Sequence, residues 1–353
     1  MHKWRVLSVW MLMMVMLVSL SACGGGSEQT SDINASHATK QSEGTTQTEP
    51  EDTSAKLKVV ASIYPLYDLA RQIGGEWVEA EQLVPFGAES HDFEPSPGDL
   101  KKLSDADILF IVGIGLEGWI DKAKENISPV KTNVVEVNEG IALLPGHTYS
   151  HGDAHADDDH ATADEHADDD AHAHATTYDP HIWLSIANAK IIGQHIVDAL
   201  SARDPEHKTD FEANYNKLVA ALDTLDQDFR ADLNDATTKQ FVVSHKAFAY
   251  LARDYGLEQT SISGLSPSAE PSQKDMVAII DEIRTKNIKY IGFEDLVESK
   301  VAKTIQAETG TKAVQLSPLE NITKEQWEQG VHFQDVFKKN LDTLLIMLGA
   351  REG

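Results

Sequence analysis

Strand and helix signals alternate along this chain in two separate sets, and that alternation leaves few folds open. Runs rich in apolar and β-branched residues at 58–63, 78–84, 107–112 and 133–137 read as strands. Helical periodicity at 66–73, 97–103 and 117–125 falls between them. A second set repeats the order, with strands at 240–244, 259–263, 289–293 and 312–316 and helices at 247–255, 273–285 and 299–309. A last helix is expected over about 324–348. Strands separated by helices form parallel sheets, because a parallel neighbour needs a crossover long enough to hold a helix. The expectation is an α/β protein of two (β/α)4-type domains.

Between the sets lies one long helical signal. Asp204 suits an N-cap and Pro205 the first helical position. Phe211, Tyr215, Leu218, Leu222, Leu225, Phe229 and Leu233 then recur at steps of three and four, on one face. A helix over 205–236 would be roughly 45 Å long at about 1.5 Å per residue. It would join an N-terminal domain, 57–204, to a C-terminal domain, 237–353, as a rigid rod. Domain motion is then expected to be small, with local loop movement releasing any ligand.

The first residues suggest a compartment. Lys3 and Arg5 precede an apolar run from Val6 to Leu20, so 1–22 reads as a signal peptide. Leu20-Ser21-Ala22-Cys23 resembles the bacterial lipobox, in which the cysteine becomes the lipid-modified first residue. Cys23 is the only cysteine, so no internal disulfide and no thiolate metal site is expected. Residues 23–56 are rich in Ser, Thr, Gln, Glu and Gly and read as a flexible tether. The folded part is expected at the outer face of the cell membrane, held by lipid.

The net charge of −27 argues against nucleic acid, which needs clustered Lys and Arg. It favours cations. Nine of the acidic residues lie in 147–174, together with His147, His151, His155, His160, His166, His172 and His174. This stretch holds no Lys or Arg and too little apolar surface to order itself, so it reads as a disordered collector of metal ions. Neutral imidazole is a common metal ligand near pH 7.

Four other residues lie just past strand ends or beside the collector. His91 follows the second strand, His181 follows the collector, His245 ends the first strand of the second set, and Glu320 follows the last strand. Ligands of open parallel sheets bind outside the carboxyl ends of strands. Two such residues per domain would meet in the interdomain cleft. Three imidazoles and one carboxylate suit four-coordinate Zn²⁺. Glu294, at another strand end, and water are rivals for the fourth place. His195, His207 and His332 read as surface or packing residues on helices.

On these residues the stretch 57–353 resembles the metal-binding receptors of bacterial ABC importers (cluster A-I solute-binding lipoproteins), in particular the zinc-uptake branch. The matching pieces are His-Asp-Phe-Glu-Pro-Ser-Pro from His91, Asp-Pro-His-Ile-Trp-Leu around His181, and Ser-His-Lys-Ala-Phe around His245. Glu-Thr-Gly at 308–310, leading into Pro318-Leu319-Glu320, completes the set. The resemblance implies that His91, His181 and His245 are ligands, that a carboxylate completes the sphere, and that a monomer delivers Zn²⁺ to an ABC permease. The manganese branch usually carries a carboxylate where this chain has His245, which tilts the metal toward zinc; a manganese receptor of the same family is the nearer alternative. An extracellular zinc hydrolase with an open fourth position is the further one. Ser90 stands where some relatives carry an acid. Gly113-Ile114-Gly115-Leu116-Glu117-Gly118 also matches a dinucleotide fingerprint, with Glu136 downstream. It sits in the third strand–helix unit instead of the first, and similar segments occur in the metal-binding family without nucleotide.

Overall fold

The computed structural model describes residues 56–146, 178–296 and 299–352. They belong to one compact unit, Ser54–Gly353. The signal peptide, Cys23, the tether to residue 55 and all seven collector histidines lie outside the described residues.

The first half contains β1 (Leu57–Ala61), α1 (Tyr64–Gly74), β2 (Val78–Gln82), α2 (Pro97–Asp105), β3 (Ile108–Ile111), α3 (Ile120–Lys124) and β4 (Asn133–Glu136). Its four strands are parallel in the order β2-β1-β3-β4. Every residue of β3, Ile-Leu-Phe-Ile, is buried, as a central parallel strand covered on both faces requires. α2 starts at a capping box: Ser96 accepts from Asp99 N and Asp99 accepts from Ser96 N, with Pro97 in the first turn.

Two helices follow, α4 (Ile186–Arg203) and α5 (Lys208–Asp232). The second half then runs β5 (Gln240–Val243), α6 (Ala249–Tyr255), β6 (Glu258–Ser261), α7 (Gln273–Thr285), β7 (Tyr290–Phe293), α8 (Lys300–Thr309), β8 (Lys312–Gln315), α9 (Lys324–Glu328) and α10 (Phe333–Met347). Its sheet, β6-β5-β7-β8, repeats the order of the first.

The rod is α5. It packs on α1 and α4 of the first half and on α10 of the second. Phe211, Leu218, Leu222, Leu225 and Phe229 are buried along it, within one apolar cluster that runs through both halves. Burial of each such side chain contributes about 1.5–3 kcal/mol. α4 approaches α5 closely at Gly193, where an added Cβ would lie 2.9 Å from Tyr215 Cε2.

Four elements differ from expectation. α5 has 25 residues, so it is about 37 Å long, and single 3₁₀ turns at Pro205–His207 and Leu233–Asp235 flank it. Asp204 does not cap it; its carboxylate lies 2.6 Å from His207 Nδ1 instead. α4 is an additional helix that the periodicity does not reveal. The last helix is two, because Gly330 turns the chain at φ 71° and His332 starts α10 with Asp335 in a capping box. The helix expected from 117 begins at Ile120, because the Glu117 side chain turns back to accept from Val112 N and Gly113 N at 2.9 Å each.

The halves are also tied away from the sheets. Asp68 on α1 is fully buried and accepts from Phe333 N at 2.8 Å, while Arg71 and His332 close around its other oxygen. Tyr64 N donates to Glu320 O at 3.2 Å, and Gly87 N to Ile322 O at 2.9 Å.

Candidate metal centre

The four expected residues do converge, although only three of them follow strands, His181 standing before a helix. His91 lies in the loop after β2, His181 opens the 3₁₀ turn Ile182–Leu184 before α4, His245 follows β5, and Glu320 follows β8. One ligand atom from each lies within 4.8 Å of all the others. His181, His245 and Glu320 are buried, and the His91 side chain is 10% exposed.

Five of the six separations among the donor atoms are nearly equal. Glu320 Oε1 is 3.3 Å from His91 Nε2, 3.2 Å from His181 Nε2 and 3.4 Å from His245 Nε2. His181 Nε2 is 3.2 Å from His91 Nε2 and 3.3 Å from His245 Nε2. A tetrahedron with edges of about 3.3 Å has its centre about 2.0 Å from each corner, which matches Zn–N and Zn–O bond lengths of roughly 2.0–2.2 Å.

The donors are held from behind. Asp179 Oδ1 lies 2.7 Å from His181 Nδ1 and also accepts from His181 N at 3.0 Å. Glu294 Oε1 lies 2.5 Å from His245 Nδ1 and accepts from Ser244 Oγ at 2.8 Å. A carboxylate on Nδ1 fixes the proton there and leaves the Nε2 lone pair for a metal. Ser90 Oγ donates to Glu320 Oε2, so only Oε1 faces the imidazoles. Glu294 therefore stands behind His245, and its first oxygen is already taken by two donors.

Charge follows this geometry. Burial opposes ionisation of Glu320, but His91, then His181 and His245, outweigh it and hold the carboxyl well below its usual range. Burial also opposes charge on His245, yet Glu294 and Glu320 push it up to about 10. His181 is raised likewise, by Asp179 and Glu320 against burial. The carboxylates around the imidazoles thus favour positive charge at this site, as a cation-binding centre requires.

The other candidates sit elsewhere. His195 Nε2 meets Glu139 O at 2.9 Å, His207 stacks on Trp77 with ring centroids 3.7 Å apart, and His332 joins Asp68. The glycine-rich loop has positive φ at Gly113, Ile114 and Gly115, but its Val112 and Gly113 N–H groups point to Glu117. Ser62 Oγ donates to the same carboxylate, and burial pushes Glu117 up despite these donors. Those two N–H groups are therefore engaged by the carboxylate and not free for a phosphate. Motif reading assigns no role to Asp179 and treats Glu294 as a rival ligand. The one signal for Asp179 is its position two residues before His181.

The described chain on either side of 147–177 meets beside this centre. Pro145 and Tyr178 form an antiparallel bridge, and Asp179 N donates to Leu144 O at 2.9 Å. Two residues later the chain reaches His181.

Two parallel-sheet lobes, a helix packed along both, and a four-donor N/O centre between them define a two-lobed metal-binding protein. Residues 59–345 match the family described as zinc-uptake complex component A, periplasmic, and the chain belongs to that family of solute-binding receptors. It is 39% identical over 289 residues to the zinc-binding protein AdcA of Streptococcus pyogenes serotype M3, covering 82% of this chain and 55% of that protein. The chain thus spans about half the length of the AdcA proteins it matches. It is 36% identical over 289 residues to the high-affinity zinc uptake system protein ZnuA of Bacillus subtilis, covering 82% of this chain and 86% of that one. The crystal structure of the Zn(II)-bound ZnuA-like domain of Streptococcus pneumoniae AdcA superposes with a TM-score of 0.67 at 33% identity, over 83% of this chain and 99% of that domain.

Proposed function

We propose that this chain is an extracytoplasmic receptor that binds Zn²⁺ through His91, His181, His245 and Glu320 and delivers it to an ABC permease. One observation carries the reading: five of the six separations among the four donor atoms are 3.2–3.4 Å, close to the edge length of a zinc tetrahedron, and all lie within 4.8 Å. The relatives' names, zinc-binding protein and high-affinity zinc uptake system protein, support zinc as the cargo. A third imidazole at 245, where the manganese branch usually carries a carboxylate, supports it further.

The arrangement favours a receptor over a hydrolase. A catalytic zinc keeps one position for water. Here Glu320 Oε1 stands in that position, with its partner oxygen held by Ser90.

The domain limits of this reading are 57–204, a linking helix 205–236, and 237–353, a division supported by the two separate sheets. The protein works as a monomer anchored through Cys23, and the histidines of 147–174 serve as a weak antenna that feeds the cleft. Relatives called zinc-binding lipoprotein AdcA support the anchor. Among the described residues no helix is long and apolar enough to cross a membrane.

The test is a metal titration of the mature protein and of His181→Ala and His245→Ala, with Zn²⁺ and Mn²⁺ in parallel. One tight zinc per chain, lost in both variants, is expected. Equal Zn²⁺ binding by His245→Ala and the parent would remove the assignment.

A further inference from the structure

We propose that Asn321 is a positioning residue for zinc retention, latching the loop that carries Ser90 and His91 to the segment that carries Glu320. The proposal rests on the ligand set above. Asn321 is buried, 5% exposed, immediately after Glu320. Its Nδ2 donates to Pro85 O at 2.8 Å and to Ala88 O at 2.9 Å. Its Oδ1 accepts from Gln82 Nε2 at 2.9 Å and from Ile322 N at 2.9 Å. Gln82 ends β2, and Pro85 to Ala88 is the stretch of loop that leads into Ser90 and His91.

One side chain therefore joins two ligand-bearing segments from opposite halves. Both Nδ2 partners are carbonyl oxygens and both Oδ1 partners are N–H groups, so only an amide fits, in one orientation. The backbone bond from Gly87 N to Ile322 O runs alongside. Neighbouring Leu319 is fully buried at φ 57°, a conformation costly for leucine and kept only where surrounding bonds enforce it.

Neither Asp179 nor Glu294 performs this task, since each sits behind one histidine within its own half. Asn321 instead sets the separation between two donors, His91 and Glu320. Its loss lets that separation widen while the Nδ1 contacts of His181 and His245 stay intact. A metal already bound then escapes sooner, and its arrival is unchanged because the other donors remain.

Asn321→Asp is the sharpest probe. It keeps the shape and sets a carboxylate oxygen against the carbonyls of Pro85 and Ala88. Asn321→Ala and Gln82→Met serve as second variants should Asn321→Asp fail to fold, as judged by circular dichroism and thermal unfolding of the metal-free protein. Zn²⁺ dissociation is timed by transfer to a chelator, association by stopped flow, and ligand geometry by the visible spectrum of the Co²⁺ form. The expected result in folded Asn321 variants is dissociation about 10–100-fold faster, the range for losing a group behind a metal ligand, with association unchanged and an altered Co²⁺ spectrum. Gln82→Met, which removes one of the four bonds, gives a smaller change in the same direction. Parent-like dissociation and Co²⁺ spectra in a folded Asn321 variant would overturn the proposal. His181→Ala is run in parallel: if it too retains zinc like the parent, the ligand assignment itself has failed; if it loses zinc, only the positioning role is refuted.

Discussion

Glu294 Oε1 lies 2.5 Å from Nδ1 of His245, and this contact selects which ring nitrogen faces the cleft. Ser244 Oγ donates to the same oxygen, so the carboxylate is fixed before it orients the ring. Asp179 does the same for His181. Removing Glu294 leaves His245 in place but free to rotate or to take the other tautomer. Glu294→Ala is expected to weaken zinc binding by about 10–100-fold, with one zinc still bound at saturation. Glu294→Gln, which can still accept from Nδ1, should lose less. Chelator competition measures both, and full affinity in Glu294→Ala would contradict the role.

Zinc binding should release protons and weaken as the solution is acidified. With His245 pushed up to about 10 by Glu294 and Glu320 against burial, the metal-free site holds a proton at neutral pH that the metal must displace. Each displaced proton lowers apparent affinity about tenfold per pH unit below that value. The metal-free fold behaves oppositely. A raised imidazole pKa stabilises it fully below 6.5, the ordinary value, and that contribution disappears as pH climbs toward 10. Calorimetry at neutral pH in two buffers of different ionisation heat counts the protons, and a count of zero would refute the account.

Removal of 147–174 should leave the tight site intact. The bridge between Pro145 and Tyr178 already brings the flanking chain together, so a short turn can replace the segment. Calorimetry of the shortened protein is expected to show one tight zinc and none of the weak sites. Loss of the tight event would mean that the segment supplies a ligand.

Leu222→Ala tests the spine. Leu222 is fully buried in the cluster shared by both halves, so the truncation should cost about 2–5 kcal/mol in urea unfolding of the metal-free protein. Zinc stoichiometry should not change, because the residue is remote from the donors in the chain and its contacts are apolar. A cost below about 0.5 kcal/mol would show that α5 is not a shared core element.

Much of this architecture is legible in the chain because its signals are local. The inner strands β1, β3, β5 and β7 are short, mostly apolar runs between turn residues, and the rule that ligands gather beyond strand ends brings His91, His245 and Glu320 together without coordinates. His181 precedes α4 instead, and its Asp-Pro-His-Ile-Trp-Leu motif is what marks it. α4 escapes because Ile186, Ala189, Ile192, Ile196, Val197 and Leu200 are all buried, so apolar residues cover too much of the helix to leave a clear stripe. Gly330 divides the last helix in a way its flanking periodicity conceals. The partners behind the ligands are harder still. Ser90 and Glu320 are 230 residues apart, and Gln82 and Asn321 239, so only the folded chain pairs them.

The bond from Tyr64 N to the Glu320 carbonyl has a mechanical meaning. The fourth donor belongs to one half by covalent chain and to the other by hydrogen bond, so the two halves are stitched together at the donor itself. Cargo is then a passenger and not a fastener: small-angle scattering profiles of the loaded and the stripped receptor should superimpose. A permease partner of the kind proposed would then have to read the loaded form from side chains and loops at the rim.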